Sequence, residues 1–213
     1  QIVPLEIVCP PIPIGDLPVL DAMVDGLQQA GALGTSDSLI YAFGVHINTE
    51  LPAFDAQTLT AYLQAYCLAQ NWLIKAHEVD PVRRLTPYID SYPKRYVQKV
   101  MGYAENTTVQ EIIDDYLEYN PTRNRGMDLL PLFKYIDEAR VLAAVTDERV
   151  NARPTFHYRL PNCEIEKPEW ELARCWNIWC VVEHLAADPV TLKSMREQWT
   201  HYNDNLINLK EEP

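Results

Sequence analysis

The sequence predicts an α+β domain in which a mainly antiparallel sheet is covered by helices, and three observations predict it. Segments with alternating apolar residues occur at about 2–9, 39–48 and 154–161. Longer segments with helical spacing lie between and after them, and outnumber them. The chain has 213 residues, 47% hydrophobic and 23% charged, which is enough to bury a full core in one domain.

The strands share one design. In "IVPLEIVC" the side chains of Val3, Leu5, Ile7 and Cys9 point one way and Glu6 the other. In "LIYAFGVHIN" Leu39, Tyr41, Phe43, Val45 and Ile47 form an apolar face opposite Ile40, Ala42, Gly44, His46 and Asn48. That second face is small and uncharged, which is unusual for a solvent face and suggests room for a ligand. In "PTFHYRLP" Phe156, Tyr158 and Leu160 oppose Thr155, His157 and Arg159. With the apolar faces turned to the helices, Glu6, His46, Asn48, His157 and Arg159 are expected to converge on the other face.

The helical segments follow from caps and spacing. Asp16 can cap a helix through Leu20, Met23, Val24 and Leu27 that stops at Gly31. A longer helix follows Phe54, with Leu59, Leu63, Tyr66, Leu73 and Ile74 on its apolar side. Thr108 and Glu111 form a capping box at the head of "TVQEIIDDYLEY". From Met127 the pattern "LLPLFKYIDEARVLAAV" continues as helix, with Pro131 setting a kink or a first turn. The last two helices are "PEWELARCWNIWCVVEHLAA" and, after Asp188 as cap, "VTLKSMREQWTHYNDNL". Their Trp170, Trp176, Trp179 and Trp199 are expected to pack against the sheet.

Composition excludes several functions. A net charge of −12 and a pI near 4.8 repel nucleic acid and anionic lipid, and no basic stripe is present. No apolar run reaches the ~20 residues of a spanning helix, and no secretory leader is visible, so a cytoplasmic protein is expected. Cys9, Cys67, Cys163, Cys175 and Cys180 are odd in number and lack C-x-x-C spacing, which fits reduced core thiols. P-loop, dinucleotide, esterase-elbow and zincin motifs are all missing, and only 7 Gly are present.

The convergent polar set suggests its own chemistry. A carboxylate with one or two imidazoles can hold a divalent metal, Asn can orient a ligand, and an Arg fork matches a carboxylate or phosphate. Arg83, Arg84, Lys94 and Arg95 supply further cations after the long helix. For each residue taken singly a structural role competes: a hydrogen-bonded strand His, an ion-paired Arg, a solvated helix end.

The segments "LEIVCPP", "FGVHIN", "RRLTPYIDSYP", "RPTFHYRLPNC" and "WNIWCVVEHLA" resemble, in that order and over nearly the whole chain, the amidoligase family. That family belongs to the carboxylate-amine ligases of the glutamine synthetase and glutamate-cysteine ligase superfamily. The resemblance implies a glutamine synthetase-like catalytic fold, with a curved, mainly antiparallel sheet and helices packed on one face. It implies a single domain over 1–213, lacking an N-terminal strand, with a helical insertion at 54–150. The implied reaction is ATP-dependent joining of a carboxylate to an amine through an acyl phosphate, with ATP and Mg as cofactors. Glu6 and His46 would face the metal, with His157 where the superfamily has a metal-binding Glu. Arg159 and Arg84 would neutralise phosphate charge, Asn48 would position the reacting group, and Lys94 would contact the nucleotide. The superfamily's E-x-E strand has no counterpart before Glu6, so further N-terminal residues carrying such a pair are expected. A metal-dependent hydrolase using Glu6, His46 and His157, and a non-catalytic binding protein, are the alternatives. An oligomer is compatible with either.

Overall fold

A computed structural model describes residues 6–35, 44–85 and 88–211. The fold is α+β and mostly helical. A short 3-10 turn at Ile14–Asp16 precedes α1 (Val19–Gln29), α2 (Ala56–Ala76), α3 (Pro81–Leu85), α4 (Lys94–Met101) and α5 (Val109–Tyr119). Then come β1 (Met127–Asp128), α6 (Leu130–Ile136), α7 (Glu138–Ala144), β2 (His157–Tyr158), α8 (Leu172–Ala187) and α9 (Pro189–Glu211).

β1 and β2 pair antiparallel, with Met127 opposite Tyr158 and Asp128 opposite His157. The chain before and after β2 is also paired on its other side, through antiparallel bridges Ile47–Tyr158, Glu50–Thr155 and Gly44–Asn162. Ile47 and Tyr158 exchange both backbone hydrogen bonds at 2.9 Å, and the Arg159 N–H donates to the Gly126 carbonyl at 2.8 Å. Residues 155–162 therefore run between 44–50 and 126–128. The pairing slips by one residue between Ile47 and Gly44, where the chain passes Pro161, which has no N–H to contribute.

The core forms around α2. Leu59, Leu63, Tyr66 and Leu73 on its apolar side are buried, and α4, α5, α8 and α9 pack against it. Asp55 caps α2 by accepting from the Thr58 N–H, and the Thr108–Glu111 capping box closes α5. The interior is rich in phenols: Tyr66, Tyr92, Tyr96 and Tyr116 meet edge to face at centroid distances of 5.1–6.0 Å. Trp179 of α8 is fully buried and packs on Tyr158 of β2 at 4.9 Å, so the expected sheet-packing role holds for it.

Several local expectations are corrected. Residues 6–9, placed in a strand by alternation, are exposed irregular chain, because no partner strand covers Ile7 and Val8 among the described residues. Residues 1–5 and 36–43 of the first two expected strands lie outside the described residues. Asp16 ends the 3-10 turn instead of capping α1, whose N-cap position is Pro18. Gly31 has φ of 75°, which suits a residue just past a helix end. The single helix expected from Met127 is broken: Met127 and Asp128 join the sheet, and Asp137 ends α6 and caps α7 by accepting from the Arg140 N–H. Cys67 and Cys175 are buried thiols, whereas Cys9 is exposed.

Candidate functional site

Alternation along β2 sorts its residues between two environments. Phe156, Tyr158 and Leu160 are buried in the core, and His157 and Arg159 are turned to the opposite face. Because Ile47 pairs with Tyr158, its neighbours His46 and Asn48 fall on the same side as Arg159 and His157. Asp128 joins them from β1, opposite His157. Of the residues singled out in the sequence, the structure thus brings together His46, Asn48, His157 and Arg159. Glu6 is exposed in irregular chain, Arg84 is exposed on α3, and Lys94 is exposed at the first turn of α4.

The His157 Nδ1–H donates to the Asn48 Oδ1 at 2.7 Å, which leaves Nε2 with its lone pair. The His46 ring stands edge-on to His157, with centroids 4.8 Å apart. Burial pushes the His157 imidazole down to about 2, and His46, Arg159, Arg153 and Arg123 add to the shift. Loss of hydration where the His46 ring meets its neighbours lowers it to about 4, with Arg159, Arg83, Arg153 and Arg123 contributing. Both imidazoles are therefore neutral at physiological pH. They can accept a proton contact or ligate, but they add no positive charge.

Asp128 behaves in the opposite sense. It is 1% exposed, and burial raises its carboxyl to about 7 against the lowering effect of the Leu130 N–H, Arg159 and Arg123. The Leu130 N–H donates to Oδ1 at 3.0 Å. Arg159 donates to the Arg123 carbonyl, while its Nε is buried without a partner among the described residues.

Next to this face lies a cleft lined by Arg123, Asp128, Pro131, Arg149, Asn151, Arg153 and His157. Its arginines come from two loops, "PTRNRG" before β1 and "DERVNARP" after α7, and sequence periodicity singles out neither. The available signal was Arg held in Pro- and Asn-containing loops of an otherwise acidic chain.

Arg83, grouped in the sequence with Arg84, has another task. It is 3% exposed and donates to the carbonyls of Arg159, Leu160 and Pro161 and to the Asn162 Oδ1 at 2.7–3.1 Å. A Cβ on Gly44 would lie 2.4 Å from its Nη2. Part of the small face expected to leave room for a ligand is thus filled by the chain's own guanidinium, which fastens the end of the central strand.

Three cleft guanidiniums beside neutral imidazoles suit an anion such as a phosphate. Among the described residues no group of three or more His, Cys, Asp or Glu could hold a metal ion. An all-protein metal cage is therefore not what these residues offer. A magnesium ion carried on substrate phosphates would need one or two protein carboxylates. Asp128 is the carboxylate at hand.

No helix among the described residues is long and apolar enough to cross a membrane. No curated protein and no solved structure matches the chain. A family model described as "Putative amidoligase enzyme" matches residues 1–181, a span that contains every side chain of the polar face and the whole arginine cleft. The chain belongs to the amidoligase family.

Proposed function

We propose that this amidoligase-family chain is an ATP-dependent ligase that activates a carboxylate as an acyl phosphate and joins it to an amine, in the manner of the glutamine synthetase and glutamate-cysteine ligase superfamily. The observation that carries the proposal is the polar face of the central strand, where Arg159 and neutral imidazoles adjoin an arginine-lined cleft. Acyl-phosphate chemistry gathers negative charge on phosphoryl oxygens, and fixed guanidiniums beside a partly dehydrated face stabilise that charge.

Each side chain has a role in this scheme. Arg159 neutralises phosphoryl charge from the rear of the cleft. Asn48 holds the His157 ring so that Nε2 faces the site, the arrangement by which a carbonyl oxygen orients a ligating imidazole. Asp128 would supply one protein carboxylate to a magnesium ion that enters with nucleotide, and the ion would offset the charge between phosphates. Arg84 and Lys94 are exposed on α3 and α4 and are assigned to the outer parts of the nucleotide.

The test is ADP release by the purified chain with ATP and magnesium across a panel of amino acids and amines. Release that requires both a carboxylate and an amine is expected. Release equally fast with water alone would replace the ligase by a hydrolase.

A further inference from the structure

Among the described residues the guanidinium groups of Arg123 and Arg153 form neither a hydrogen bond nor an ion pair, although both are half-buried. Arg149 is held by Asp147 through two charge-assisted bonds of 2.7 and 2.8 Å, which keeps it beside the cleft while leaving part of its fork open. This chain has 30 acidic residues against 18 basic ones, so partners for surface arginines are abundant. Like charges repel, and three guanidiniums lining one cleft, two of them without a hydrogen bond or ion pair among the described residues, suit an anion held between them. Among the described residues one acid, Asp128, lines the cleft against the three arginines, which leaves the lining net positive.

We infer that Arg123, Arg149 and Arg153, with Asp128 as floor, form a binding site for one tetrahedral oxyanion, a phosphoryl or sulfate group. Guanidinium forks donate pairs of N–H bonds to two oxygens of such a group, and three forks from two loops can address several edges of the tetrahedron. The inference stands on this geometry and does not require the ligase reaction.

The experiment is calorimetric titration of the full chain with sodium sulfate at fixed ionic strength. Saturable binding is expected, weakened about tenfold or more by Arg123→Gln and by Arg153→Gln, and unaffected by Lys193→Gln on α9. Inorganic phosphate should compete with sulfate, and acetate should not. Unchanged urea midpoints of the arginine variants certify their folding. No saturable sulfate binding, equal loss in Lys193→Gln, or acetate binding as tight as sulfate would overturn the site. A chain that binds sulfate but never releases ADP keeps this site and loses the ligase function.

Discussion

Replacing Arg83 by Met should cost the fold about 3 kcal/mol while leaving the cleft's side chains untouched. Met retains the stem of the side chain but none of its five donors. Four acceptors lose their partner: the carbonyls of Arg159, Leu160 and Pro161, and the Asn162 Oδ1. Each buried acceptor left unpaired costs about 1–3 kcal/mol, and hydrogen bonds to a charged donor are worth about 1.5–3 kcal/mol. Against this stands the relief of a desolvated cation, whose burial, with Arg159 nearby, already lowers Arg83 to about 10. Water entering at the exposed end of α3 recovers part of the remainder, and ~3 kcal/mol is left. With a urea slope of ~2 kcal/mol per M, the unfolding midpoint should fall by about 1.5 M at constant slope. A fall below about 0.3 M would refute the claim that this guanidinium fastens the central strand.

The remaining predictions concern the site and its surroundings. His46→Ala should abolish amine-dependent ADP release without changing the circular dichroism spectrum, because an exposed imidazole contributes little packing; unchanged turnover would remove His46 from the proposed machinery. Gly126→Ala should lower stability by about 1–3 kcal/mol in urea unfolding, since a Cβ there would stand 2.6 Å from the buried Tyr66 hydroxyl and 2.7 Å from Leu160 Cδ2. The His77 and His157 imidazoles are lowered by burial to about 4 and about 2, so the unfolded chain takes up protons first and stability is lost as pH falls below about 6.5. Asp128 acts the other way, because its raised pKa means that the folded chain holds the proton and stability declines as pH rises from about 4 to 7. Asp128→Asn should therefore steepen the acid-side loss seen in urea midpoints from pH 6.5 to 4.5; an unaltered profile would contradict the burial assigned to Asp128.

Strand alternation made half of the candidate face legible. His46, Asn48, His157 and Arg159 have apolar neighbours on both sides, and a period of two places them together whatever the rest of the chain does. Glu6 met the same criterion but lies in exposed irregular chain. Alternation in "LEIVC" states a preference that only a partner strand can satisfy, and residues 6–9 have none among the described residues. Met127 and Asp128 were hidden for another reason: two residues are too few to show a period, and the helical pattern after them swallowed them. Asp137 broke that pattern because its side chain caps the following helix more favourably than it continues the preceding one. The arginines of the cleft come from loops, where spacing carries no information about direction. Their meeting is a tertiary event, set by how α5 and α7 bring the ends of two connections to one edge of β1.

The phenol-rich interior is also a store of protons. Burial, together with the neighbouring rings, raises Tyr66, Tyr92, Tyr96, Tyr116 and Tyr158 above the usual tyrosine range, so none of them ionises while the core is closed. In the open chain all of them titrate near pH 10. Each pH unit beyond that point therefore favours opening by about 1.4 kcal/mol per phenol, or about 7 kcal/mol for the five acting together. Alkali should not loosen this protein by degrees. It should leave the near-ultraviolet signal of these five buried tyrosines intact and then, over a fraction of a pH unit, release all five protons in one concerted collapse.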